Sequence, residues 1–155
     1  MSMNPNYVHT ITVYNCLRAE DNPAALKDTW YRTVIHDCFY KNVIGRVDTG
    51  KSSESKGLYA SSSEMRSAYT ARIPVSESYL PYTDWSRLAE EERQGKWTCH
   101  AGDIIVFGEC PDEITGKSPF TASEVLSRYK PDAFKVTAFS DNTSHVAGKH
   151  YRIGG

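Results

Sequence analysis

The chain has no long apolar run, no excess of charge of either sign and no paired-cysteine motif. Among its 155 residues no stretch of about 18 consecutive apolar side chains occurs, so no membrane-crossing helix is expected. The mean hydropathy is negative. The first residues, MSMNPNYVHTITVYNCLRAE, lack the basic start and apolar centre of a secretory signal, so none is expected. Eighteen basic and nineteen acidic side chains leave a net charge of −1. That balance excludes a general pull on phosphate backbones or anionic membranes, while leaving room for a local patch. Cys16, Cys38, Cys99 and Cys110 form no CxxC pair. Without a leader they read as reduced thiols of a cytosolic product, packed as small hydrophobes.

What is present is enough for one core. Hydrophobic residues make up 39% of the chain, and a single compact domain of this length buries most of them. Tyrosine stands out, with 10 residues against 5 Phe and 3 Trp, a composition that points to contact surfaces.

Period-two alternation marks the strands. Val8 to Tyr14 alternates His9, Ile11 and Val13 with Thr10, Thr12 and Tyr14. Thr29 to Phe39 alternates Tyr31, Thr33 and Ile35 with Trp30, Arg32 and Val34. Ala68 to Val75 is a third strand, Trp97 to Cys99 a short fourth. Ile104 to Phe107 is a continuous apolar strand, expected to be buried on both sides. Ala133 to Ser140 and Lys149 to Ile153 complete the set. A helix is expected from Thr83 to about Gln94, with Glu90 to Arg93 as its solvated face and Gly95 as its stop. Thr121-Ala-Ser-Glu124 is a capping box that opens a second helix, ended by Pro131.

Gly45 to Ser67 is rich in Ser, Gly and Lys and has little apolar periodicity, so it reads as a long flexible loop. The fold class is therefore mainly β: one domain over residues 1–155, a small β-barrel or sandwich of six to seven short strands with two short helices and one long loop.

Motifs for chemistry are sparse. Gly45-Arg-Val-Asp-Thr-Gly-Lys51-Ser52 fits the phosphate-loop pattern GxxxxGK[ST], but no strand–loop–helix setting surrounds it. Cys99, His100 and Cys110 could be drawn together as zinc ligands, though their spacing matches no usual structural site. The histidines His9, His36, His100, His145 and His150 form no HExxH pair, and no GxSxG elbow occurs. No catalytic residue, metal or cofactor is expected.

Six stretches, in order, carry a resemblance: ITVYN (Ile11 to Asn15), TWYRTVIHDCFY (Thr29 to Tyr40), ARIPV (Ala71 to Val75), GKWTCHAGDIIVFGE (Gly95 to Glu109), SRYKPDAFKVTAFSDN (Ser127 to Asn142) and KHYRIGG (Lys149 to Gly155). Together they resemble a family of small proteins from the structural gene clusters of tailed bacteriophages and prophages of gut Firmicutes. The pattern departs at Cys38-Phe39 and at Tyr151. The resemblance implies a non-enzymatic virion protein of the neck, similar to head-closure (stopper) or head–tail connector proteins. These form homo-oligomeric rings between portal or adaptor and tail.

That setting implies portal and tail-side neck proteins as partners, double-stranded DNA passing without sequence-specific binding, and no membrane. It also implies synthesis in the host cytoplasm before incorporation into the virion. The long loop would then face the channel or a neighbour, through Arg46, Asp48, Lys51, Glu54, Lys56, Tyr59, Glu64 and Arg66. Tyr69, Tyr79, Tyr82 and Tyr151 would serve subunit contacts. Alternatives are a tail-terminator or minor capsid-associated protein and, from another class, a small metal- or nucleotide-dependent hydrolase.

Overall fold

The computed structural model describes residues 5–22, 26–48, 63–144 and 146–155, with residues 44–48 and 63–67 described by backbone alone. Seven strands appear: β1 (His9–Leu17), β2 (Thr29–Asp48), β3 (Ser63–Pro74), β4 (Ile104–Phe107), β5 (Ala133–Lys135), β6 (Ala138–Asp141) and β7 (His150–Gly154). Every pairing is antiparallel, and the sheet order is β5-β4-β1-β2-β3-β7-β6. The sheet curls into a half-barrel, so the fold is mainly β as the alternation predicts.

The bend in β2 has a local cause. Its register against β1 steps from His9↔Cys38 to Ile11↔Ile35, so β2 carries one extra residue. Asp37 sits in that bulge with φ of 56°. A bulge sharpens twist and bends the strand, which lets the first half of β2 pair with β1 and the second half with β3.

Both faces of the β1–β4–β5 region are covered. Ile11, Val13 and Ile105 face the interior with Tyr151 and Ile153 from the far side of the curl. Tyr14, Ile104 and Val106 face outward, into a second core with Ile114 and Val125. Val125 belongs to the helix at Ala122–Tyr129 (α3 below). β4 is thus buried on both sides from Ile104 to Val106, as its apolar run implies, while Phe107 at its end is exposed.

The expected helix over Thr83 to Gln94 is instead two short ones, α1 (Tyr82–Ser86) and α2 (Glu90–Arg93), and the third, α3 (Ala122–Tyr129), follows β4. The break has a physical reason in Arg93. Its guanidinium donates to the carbonyls of Trp85, Ser86 and Leu88, the groups a continuous helix would have bonded internally. Arg93 is only 6% exposed, so the charged run is not wholly a solvated face.

Gly95, at φ of 81°, stops the segment in the left-handed conformation expected of it. The N-cap of α3 is formed at the expected residues: the Thr121 hydroxyl oxygen accepts from the Glu124 amide at 3.3 Å and its hydroxyl donates to the Glu124 carboxylate at 2.6 Å.

Two strand expectations are corrected. Trp97 to Cys99 forms a single bridge, Tyr79↔Trp97, rather than a strand. Ala133 to Ser140 is divided into β5 and β6, which lie at opposite edges of the sheet. Val136 and Thr137 carry the chain between them. The Val136 amide donates to Asp103 O at 2.7 Å and the Thr137 amide to Gly154 O at 2.9 Å. The alternation continues through the join, but the backbone partners change there.

Candidate functional site

The β2–β3 hairpin continues into the segment expected to be loop. Register runs Gly45↔Arg66, Arg46↔Met65, Val47↔Glu64 and Asp48↔Ser63. Arg46 and Asp48 are therefore strand residues of β2, and Glu64 and Arg66 strand residues of β3. Lys51, Glu54, Lys56 and Tyr59 lie outside the described residues. The phosphate-loop match is affected too, since Gly45 to Asp48 are extended strand where that motif requires loop.

The hairpin outruns the sheet. β1 accompanies β2 only from Thr29 to Cys38, and β7 accompanies β3 only from Thr70 to Pro74. Beyond them, residues 43–48 and 63–68 pair with each other and with no further strand among the described residues. At its root Asn42 donates to Pro131 O at 3.1 Å and the Tyr40 amide to His9 Nδ1 at 3.2 Å. The Tyr40 hydroxyl is buried without a hydrogen-bond partner among the described residues.

The four tyrosines expected at subunit contacts are engaged inside the chain. Tyr69 stacks on Phe134 at 4.8 Å and exchanges two backbone hydrogen bonds with Gly155. Tyr79 lies against Tyr151 at 4.4 Å, Trp97 at 4.9 Å and Phe139 at 5.5 Å. Tyr82 covers the His100 ring at 4.3 Å, and its hydroxyl donates to Asp21 at 2.7 Å. Tyr151 is 5% exposed. It is a core residue with almost no surface for a neighbour, a correction that the alternation of β7 explains, since Tyr151 and Ile153 both point inward. Tyr69, Tyr79 and Tyr82 remain partly exposed.

A second centre is polar and buried. Asp103 has no exposed surface and accepts four hydrogen bonds: from the Cys16 amide at 3.1 Å, Asn15 Nδ2 at 2.8 Å, the His100 amide at 3.0 Å and His100 Nδ1 at 2.9 Å. Asn15 is buried as well. It donates to Thr98 O at 2.6 Å and accepts from the Thr98 amide at 3.2 Å. A carboxylate only accepts, so His100 Nδ1 carries the hydrogen, and in the neutral ring Nε2 keeps its lone pair.

The only hint of this centre in the sequence is the turn His100-Ala-Gly-Asp103, whose Gly102 has φ of 100°. Asn15 lies 88 residues away from Asp103, with no spacing rule to connect them.

Burial disfavours the thiolate form at Cys16 and Cys99. Burial pushes Cys16 up to about 12, with Asp28 and Asp103 adding to it, and burial raises Cys99 well above its ordinary value. A protonated thiol is a poor nucleophile and metal ligand. Cys99 faces the interior core and Cys110 the outer one, so the zinc trio of Cys99, His100 and Cys110 is not gathered.

Residues 7–155 match the model of a family of unknown function, DUF6751. The chain belongs to that family. No curated protein and no solved structure matches it. Among the described residues no helix is long and apolar enough to cross a membrane.

Proposed function

We propose that this DUF6751 member is a non-enzymatic structural protein of a tailed-phage virion. It acts in the neck, as a head-closure or head–tail connector subunit that assembles into a homo-oligomeric ring between portal or adaptor and tail. The observation that carries the reading is the β2–β3 ribbon beyond residue 42. A two-stranded ribbon is marginal in water by itself, and its outer edges present unpaired backbone groups that natural proteins either cover or use. A neighbouring subunit that adds a strand to such an edge satisfies both requirements.

The sequence resemblance supplies the setting, and a small curled β-sheet suits a ring subunit. In this reading DNA passes the ring without sequence-specific contact, and the protein needs no cofactor. In this reading Lys51, Glu54, Lys56 and Tyr59, which lie outside the described residues, serve the contact with the channel or the adjoining ring.

Native mass spectrometry and negative-stain imaging of the purified chain, alone and mixed with its phage's portal complex, test the reading. The expected result is a closed ring in one of the two samples, lost when residues 49–62 are replaced by a short turn while the circular dichroism of the barrel is kept. A chain that stays monomeric in both samples overturns it.

A further inference from the structure

Past the bulge, the sheet of β2, β3, β7 and β6 turns one face to the core and the other to solvent. Tyr40, Ala71, Ile73, Tyr151 and Ile153 lie in the core. The residues that alternate with them face out, and register sets them in rows. Lys41 lies beside Thr70, and Phe39, Arg72, Arg152 and Ser140 stand in line. Lys41, Arg72 and Arg152 are exposed.

Like charges directly opposite across a ladder repel, and Arg72 and Arg152 are such a pair. None of the three cations forms an ion pair among the described residues. Two acids on these strands have described side chains. Asp141 is in register with Tyr151, on the opposite face, and accepts from the Thr143 amide at 2.9 Å. Asp37 is exposed in the bulge. Counted in full, it leaves three positive charges against one.

The chemistry of the face narrows its partner. Protein interfaces place apolar and aromatic side chains at their centre and deplete charge there. Here the centre is the arginine pair, and the ring of Phe39 lies beneath the Arg72 guanidinium at 5.5 Å. Arginine forks match phosphate, and hydroxyls such as those of Thr70 and Ser140 also donate to it. A strand face that meets only the backbone reads no sequence.

We propose that this face binds the phosphate backbone of duplex DNA through Lys41, Arg72 and Arg152. The inference rests on the neck reading for the source of the DNA, and it names the face turned to the channel.

Fluorescence anisotropy of a short labelled duplex, titrated with the full chain, tests the contact without the ring. Binding is saturable at low salt and equal for two unrelated sequences. Three phosphate contacts give a slope of log affinity against log salt of about −2.7, a loss of about 500-fold for a tenfold rise in salt. Arg72→Ser and Arg152→Ser, both at exposed positions, keep the circular dichroism of the fold. Each makes the slope shallower by about one and weakens low-salt binding by about tenfold or more. Lys117, exposed in the loop before α3, is the control, and Lys117→Ser leaves binding unchanged.

No saturable binding at low salt overturns the proposal, and so does an affinity unchanged when both arginines are replaced. Arginine variants that bind DNA as before but no longer self-associate in native mass spectrometry assign the face to a second copy, which also overturns it. A ring that forms without binding DNA overturns this inference alone. A monomer that binds DNA through the two arginines overturns the neck reading alone.

Discussion

The Asn15 carboxamide meets the Asp103 carboxylate at 2.8 Å, joining the last third of β1 to the turn that precedes β4. Both side chains are fully buried, and their hydrogen bonds reach Cys16, Thr98 and His100. Such a network is stable only when complete, because each orphaned donor in a low-dielectric interior carries its full desolvation cost.

Asp103→Ala should therefore be among the most damaging substitutions in the chain. It strands the Cys16 and His100 amides and the Asn15 amide group together, and a loss of about 3–5 kcal/mol is expected for removing one partner of a buried charged network. Urea denaturation measures it. Asp103→Asn, which keeps the shape and one acceptor oxygen, should lose less.

Arg93 is a second lock. Besides the three carbonyls at the end of α1, it donates to the Tyr31 hydroxyl at 3.0 Å, and its guanidinium lies 5.0 Å from the Tyr31 ring and 5.2 Å from that of Trp85. Arg93→Lys should not rescue it, because an ammonium has no planar fork. A loss of about 2–4 kcal/mol is expected for Arg93→Ala, and Tyr31→Phe should cost only a fraction of that. Thermal melts of the three variants give the order.

Asp37 holds the β2 bulge with φ of 56°. Glycine adopts this conformation freely, so Asp37→Gly should be neutral or slightly stabilising. A β-branched side chain does not, and Asp37→Val should cost about 1–2 kcal/mol. If both variants melt at the same temperature, backbone strain at Asp37 is not what shapes the bend.

The buried thiols set an alkaline limit. Burial pushes both Cys16 and Cys38 from an ordinary value of 9 up to about 12, helped by Asp28 and Asp103 in the first case and Asp37 in the second. In the unfolded chain these thiols ionise near pH 9, whereas the native state keeps them protonated. Their contribution is therefore fully present below pH 9 and lost as pH rises from about 9 to about 12. The phenols of Tyr79 and Tyr82, raised from 10 to about 12 chiefly by burial, act in the same direction. Denaturant midpoints should be level up to about pH 8 and fall above it. A Cys16→Ala/Cys38→Ala variant should show a shallower fall, and an identical slope would exclude the thiols as its cause.

Much of the fold is legible in local pattern. The alternation in Val8 to Tyr14 and Thr29 to Phe39 marks β1 and the first half of β2. The apolar run at Ile104 to Phe107 marks a strand buried on two sides through Val106, and Thr121 with Glu124 marks the start of α3. These succeed because the backbone's periodicity, and the chemistry that caps it, lie within a few residues.

The site is less legible. Arg93 reads as one charge on a solvated helix face until Tyr31 and three carbonyls surround it. Tyr151 reads as a contact residue until β7 turns it inward.

The sequence by itself determined that this is a β protein with no paired-cysteine motif, one domain's worth of apolar residues and a polar segment in the neighbourhood of residue 50. Only the tertiary structure decided that β5 and β6, nearly continuous in sequence, close opposite edges of one sheet. It also decided that β2 and β3 run on together past their neighbours, and that Asn15, His100 and Asp103 share one buried centre. Each depends on which distant backbone groups and side chains meet. Such pairings are set by the bend at Asp37 and by the burial of two separate cores, and no window of neighbouring residues records them.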